Sequence, residues 1–187
     1  MQRILMVMTV TAILSGCSLW ASKPDPIPAV DYVDLPRFMG DWYVIGFIPI
    51  GAEADAHNGI ESYRIGRKGK IDTVYRYLEG GFDGPLKTHT PNAKVEPGTG
   101  NARWGMQFVW PLRAEYVISY LDDDYQTTII ARSKRDYVWL MAREPHMSDA
   151  DFARYRDKIG ALGYDTSAFV RQPQRWPENE PRPPIEW

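Results

Sequence analysis

The side chains able to do chemistry are few and scattered. There are three histidines, His57, His89 and His146. They lie far apart along the chain, at none of the spacings that metal sites use. The run Asp122-Asp123-Asp124 lacks the spacing of a calcium-binding loop and reads as a turn carrying solvated acids. No Gly-x-Ser-x-Gly, His-x-x-x-His or phosphate-cradling glycine loop occurs. Cys17 is the only cysteine, so neither an internal disulfide nor a cysteine-based metal site can form. We therefore assign no catalytic residue, metal or cofactor. The formal charge of −2 and a pI near 5.9 argue against a nucleic-acid surface. What the chain does have is aromatic surface, 13% of 187 residues. That share must cover either a large core or a cavity.

Cys17 has chemistry of another kind. Arg3 makes a short basic start, and Ile4 to Leu14 is an apolar stretch too short to span a bilayer. It ends in Leu14-Ser15-Gly16-Cys17. This tetrapeptide resembles the lipobox of bacterial lipoproteins. The resemblance implies a signal peptide over 1–16, cleavage before Cys17, and acylation of the Cys17 thiol and the new amine. Two or three acyl chains, at about 0.8 kcal/mol per buried methylene, anchor almost permanently. Ser18, being other than Asp, implies sorting to the outer membrane, with the domain facing the periplasm. An ordinary secretory peptide ending in a chance cysteine is the alternative. Residues 17–32, with Pro24, Pro26 and Pro28, read as a flexible tether.

The elements that must position any site begin at Gly40-Asp41-Trp42-Tyr43. Trp42 opens the nearly unbroken apolar run Trp42 to Ile48, the pattern of a strand covered on both faces. Further strand patterns follow at Asn58 to Ile65, Ile71 to Leu78, Leu86 to Glu96 (interrupted by Pro91), Trp104 to Trp110, Tyr116 to Leu121, Thr127 to Arg132 and Tyr137 to Arg143. Sequential strands with short connections predict an up-and-down antiparallel barrel. The period then changes. Ser148 with acids behind it marks a helix start, Phe152, Tyr155, Ile159 and Leu162 form one apolar stripe, and Gly163 is the stop. Ala168 to Gln172 is a last short strand, and the Pro-rich tail 173–187 is expected to be disordered from Pro177 on.

These marks together resemble the lipocalins, in particular the bacterial outer-membrane lipoprotein lipocalins and the related apolipoprotein D. The resemblance covers Val33 to Gln172 and rests on three features. They are Gly40-Asp41-Trp42-Tyr43, the Tyr120-to-Tyr125 turn in which Asp122 is the kept element, and Arg143 after the eighth strand. It implies an all-β fold, residues 33–172 forming an eight-stranded calyx with one C-terminal helix packed outside. It also implies that Gly40, Trp42 and Arg143 are structural residues of the closed end, with the Arg143 guanidinium across the Trp42 ring.

Carrying family positions onto alternating strand residues gives a proposed ligand-binding lining of Val44, Glu61, Thr73, Tyr75, Tyr77, Met106, Phe108, Tyr116, Ile118, Tyr120, Tyr137 and Trp139. Gly46, Tyr63 and Met141 share these faces, while Val117, Val138 and Leu140 point toward the helix. Glu61 departs from the family, which keeps a small residue there. A lone inward carboxylate is costly to ionise; it reduces the cavity or selects a polar or cationic head, unless a register slip turns it outward. Phe47, Ile48, Trp110 and Leu112 are expected at the rim, free for partners or membrane, and a homodimer is left open. The implied function is non-enzymatic: a small hydrophobic ligand, such as a fatty acid or lysophospholipid, held for storage or transfer. Two alternatives stand beside it, an envelope interaction protein docking through the tail and Trp187, and a lipid-modifying enzyme.

Overall fold

A computed structural model describes residues 24–177, 182–183 and 185–187. The expected signal peptide, Cys17 and the start of the tether lie outside the described residues, as do 178–181 and 184 of the tail.

A single turn of helix, α1 (Leu35–Phe38), leads into the first strand. Ten strands follow: β1 (Gly40–Phe47), β2 (Ala56–Ile65), β3 (Lys70–Glu79), β4 (Leu86–His89), β5 (Asn92–Val95), β6 (Arg103–Gln107), β7 (Ala114–Leu121), β8 (Thr127–Ala131), β9 (Val138–Ala142) and, after helix α2 (Asp149–Ala161), β10 (Val170–Arg171). Neighbouring strands run antiparallel, and β1 pairs with β9 to close the sheet into a barrel. The fourth strand of the sequence reading is two pieces, β4 and β5, both paired to β3. Pro91 lies between them because it cannot donate to a ladder.

Two cores result. The inner one gathers Phe38, Trp42, Tyr63, Trp104, Tyr116 and Met141. The outer one packs Tyr155 and Ile159 of α2 against Val117, Ile129, Val138 and Leu140. Ser148 caps α2, its hydroxyl accepting from Asp151 N at 3.0 Å, and Gly163 ends it at φ +90°.

The closed end is built on Arg143. Its guanidinium sits 3.8 Å from the centroid of the Trp42 ring. It donates to Asp41 O at 2.6 Å, Met39 O at 2.8 Å, and Arg37 O and Phe38 O at 3.0 Å. Burial lowers its pKa to about 10, which leaves it charged at neutral pH. Trp42 Nε1 donates to Phe38 O at 2.8 Å. The Asp122 turn completes the floor: its carboxylate accepts from Gln126 N, and the Tyr125 hydroxyl accepts from Asp34 N at 2.9 Å.

Strand parity breaks at three places, one of them between His57 and Ile60 of β2. The other two bulges bear on the expected lining. One falls between Val44 and Gly46 on the β9 side, the other between Ile118 and Tyr120 on the β8 side. An extra residue reverses which face the following side chains occupy. Gly46, expected inward, faces the helix side, where a Cβ would come within 2.6 Å of Phe169 and 2.7 Å of Phe152. Phe47, expected at the rim, turns into the core at 2% exposure. Tyr120, expected in the lining, packs outside against Tyr155 with centroids 5.6 Å apart. Trp110 and Leu112 are exposed, as the sequence reading expects.

Both flanking segments lie against the barrel wherever they are described. Ile27 is fully buried, its amide donating to Ser133 Oγ, and Val30 N and Val33 N donate to Ile118 O and Gly100 O. The tail is not free either. The β1–β2 ladder ends at Tyr43 and Ile60. Beyond it, Gln172 accepts from Gly59 N at 2.8 Å, and Gln174 donates to Val44 O and Gly59 O. Trp176 rests on Tyr43, and Arg182 covers both rings.

Two outcomes follow. Arg143→Ala should lower stability by about 3–5 kcal/mol, with Arg143→Lys recovering only part, because lysine keeps the charge without the planar fork. Arg143→Ala combined with Trp42→Phe should cost less than the sum of the two changes; urea unfolding of all four variants measures this coupling. Gln172→Ala should cost about 1–3 kcal/mol, since it leaves the buried Gly59 amide without its acceptor. Equal midpoints for variant and parent would refute the seam role.

Candidate functional site

The hollow that the barrel topology promises is mostly filled. From the closed end upward, Phe38 packs on Trp42, Tyr63 and Trp104 with centroids 5.0–5.6 Å apart. Trp104 stacks on Tyr116 at 5.0 Å and 9°. The hydroxyls of Tyr63 and Tyr116 share a hydrogen bond of 2.5 Å. Above this plug, toward the open end, a cavity of about 30 Å³ remains. That is enough to hold a water but far short of an acyl chain. Larger grooves, such as one of about 230 Å³ beside Gln126, His146 and Tyr155, lie outside the barrel between α2 and the sheet. The inner cavity is small, but it is the place where buried polar groups and aromatic faces meet.

Seven of the twelve proposed lining residues border it: Glu61, Tyr75, Met106, Phe108, Tyr116, Tyr137 and Trp139. Phe108 does so from the rim. Its strand ends at Gln107, and the ring is 62% exposed in the β6–β7 loop. Val44 and Ile118 face inward but belong to the packed core. Thr73 is held by its hydroxyl to Pro91 O at 2.8 Å, and Tyr77 stacks on Tyr75 at 5.1 Å. Tyr120 takes no part, for the bulge reason given above. Three residues escaped the sequence reading: Glu53, His89 and Pro91. Glu53 sits in the turn Gly51–Glu53 after β1, and the other two where β4 breaks off. Glu53 lies in a short connection with no face periodicity, and β4 is too short and too exposed to show one around His89.

Glu61 points inward, which removes the register slip as an option. It lies opposite Trp42 in the ladder and is only 2% exposed. Its Oε2, the Oε2 of Glu53 and the Nε1 of Trp139 have no hydrogen-bond partner among the described residues. Burial pushes the Glu53 carboxyl up to about 7. It also raises Glu61 well above the usual carboxylate range, with the charge of Glu53 adding to the effect and Arg76 opposing it. Burial also raises the phenols of Tyr75, Tyr116 and Tyr137, which stay neutral. Rings enclose the acids: Tyr75 to Trp139 at 4.9 Å and Tyr137 to Trp139 at 5.2 Å. Such a site can desolvate an apolar group and offer it a few directed polar contacts. Among the described residues, no group of three His, Cys, Asp or Glu is placed to hold a metal ion.

Comparison with known proteins agrees with this geometry. The family described as a lipocalin-like domain matches residues 33–174. Temperature-induced lipocalin-1 of Arabidopsis thaliana is 25% identical over 152 residues, 76% of this chain and 80% of that protein. Outer membrane lipoprotein Blc of Vibrio cholerae is 22% identical over 170 residues, 90% of this chain and 96% of that one. Among solved structures, insecticyanin from the tobacco hornworm Manduca sexta superposes with a TM-score of 0.61 at 17% identity, covering 83% of this chain and 86% of that chain. With a closed antiparallel barrel, an outer helix, an arginine across the first-strand tryptophan and a family match over nearly the whole described domain, the chain belongs to the lipocalin-like family.

Proposed function

We propose that this lipocalin is a non-catalytic carrier. It binds a fatty acid, lysophospholipid or similar amphiphile at the open end of the barrel, for storage or transfer of lipid in the cell envelope. The observation that carries this reading is the aromatic hollow inside the mouth, with buried polar groups left unpartnered. Burial of apolar surface there yields about 25 cal/mol per Å², less the cost of ordering ligand and side chains.

A cavity of about 30 Å³ does not admit an acyl chain unless side chains move. Phe108 is the natural mover, being exposed on a loop at the rim. Trp139 and Tyr137 lie next in line.

The reading extends to location. Acylated Cys17 anchors the domain at the outer membrane, facing the periplasm; relatives named outer membrane lipoproteins support this. β1 runs from the closed end to the open end, and Phe47 pairs with Trp139, so the β8–β9 hairpin belongs to the open end. Arg135 of that hairpin holds the Asp25 carbonyl. A chain from Cys17 to Asp25 spans at most about 28 Å fully extended. The anchor thus keeps the mouth, with exposed Val109, Trp110 and Leu112 beside it, near the lipid. The tail-docking alternative loses ground, because Trp176 and Arg182 are engaged on the barrel itself.

Native mass spectrometry of the delipidated chain, titrated with palmitate and with lysophospholipid, should show one bound molecule per chain. Binding of neither, nor of any other single-chain amphiphile, would remove the carrier reading. Met106→Trp, which fills the hollow, should weaken binding at least about tenfold while leaving the melting temperature within a few degrees. Undiminished binding would place the ligand outside the barrel. Cys17→Ser should move the protein from the membrane to the soluble fraction on cell fractionation; an unchanged distribution would refute the anchor.

A further inference from the structure

Resting on the carrier reading, we propose that among amphiphiles of equal chain length the hollow prefers hydrophobic amines. The ammonium head seats against Glu61 and Glu53, inside the ring of Tyr75, Tyr137 and Trp139, and the hydrocarbon leads out past Phe108.

Four observations converge on this. First, the acids are unpartnered where they should not be. Glu61 is 98% removed from solvent, its exposure being 2%, and its Oε2 bonds to nothing; Glu53 Oε2 is in the same position. An unmet buried carboxyl oxygen costs stability, and an N–H donor from a ligand removes that cost. Second, among the described residues no lysine or arginine borders the hollow. The nearest candidate, Arg76, donates to Ser62 Oγ at 2.9 Å and lies 3.7 Å from Asp41, and it does not border the cavity. Third, the charge at the site favours a cation. Glu61 and Glu53 both border the hollow, so a carboxylate or phosphate head would be an anion brought beside two acids, whereas an ammonium would not. Fourth, aromatic faces surround the site, and they attract a desolvated cation.

The electrostatics are consistent with this assignment. The titratable groups bordering the hollow are Glu53, Glu61, His89 and the phenols of Tyr75, Tyr116 and Tyr137. Burial holds Glu53 and Glu61 toward their protonated forms. An arriving ammonium favours the ionised form, so a carboxyl gives up its proton to solvent as the amine binds. Trp139 Nε1 remains a free donor in the same hollow, suited to a hydroxyl beside the amine. This unmatched donor is independent of the acid pair, and it also points to a polar ligand head.

The test compares hexylamine, hexanol and hexanoate, which share one chain and differ in the head. Each is titrated calorimetrically into the full chain in a nonionic detergent. Hexylamine should bind about tenfold or more tighter than hexanol, with hexanoate weakest. Glu61→Gln should bring the amine to within about threefold of the alcohol and leave the alcohol unchanged, and Glu53→Gln should weaken the amine alone by a smaller factor. Both changes are nearly isosteric, and melting curves check that each variant folds; if one does not, the other carries the comparison. Hexanol binding as tightly as hexylamine, or an amine preference that survives both substitutions, overturns the head-group assignment and leaves the carrier reading intact. Binding of none of the three overturns both.

Discussion

The barrel depends on one half-buried cation. Arg143 joins segments that the chain keeps far apart: the end of β9, the start of β1 and the turn of helix before it. A guanidinium can do this because its planar fork serves several carbonyls at once while its face lies on an indole. The carbonyls it bonds are the last ones of α1 and the first of β1, groups that would otherwise face the core unpaired. The same contact lies beside the seam where the sheet closes on itself. Closure, lead-in and floor are therefore one interaction network. The aromatic rings stacked above it fill the lower barrel so completely that ligand chemistry is confined to the mouth.

Above that floor, two bulges decide which residues the mouth receives. Each falls where α2 and the segment after it press on the barrel from outside. At Gly46 a side chain would collide with Phe169 and Phe152, and past Ser119 the sheet turns Tyr120 out to meet Tyr155. The residues that follow, Phe47 and Leu121, go inward instead and join the inner core. Packing of the helix outside thus changes the composition of the wall inside, through the period of two that every strand imposes.

The mouth combines features that a core alone would avoid. Two carboxyls and an indole N–H are buried without partners, among rings that could have closed over a purely apolar interior. A fully apolar set of similar volume would be more stable. Unmet polarity retained in a hollow is the usual mark of a site that exchanges its own hydrogen bonds for those of a guest. The tail contributes at one remove. Gln172 bridges the parted edges of β1 and β2 and reaches the Tyr75 hydroxyl at 3.3 Å, so the residue after the last short strand steadies a lining ring.

Much of this was legible in the residues themselves. Strand period, turn residues, the Ser148 cap and the Gly163 stop are local, and they set the order of elements before any contact forms. The pairing of Trp42 with Arg143 was legible too, through resemblance, because the two stand at matching strand ends. Glu61 was correctly read as inward, its strand having no bulge between Ile60 and Ile65. Other features were not local and could not be read. Tyr120 and Gly46 depend on bulges imposed by a helix that packs from outside. Glu53 reaches the hollow from a connection with no periodicity, and His89 from the last residue of a strand cut short before Pro91. The volume of the hollow depends on how far rings from opposite strands interdigitate. The chain by itself determined that a barrel forms and where it is plugged, since these follow from neighbours in sequence and from single matched residues. Only the tertiary structure decided how much of the interior stays empty and which groups face it, because those are set by side chains that meet across the barrel.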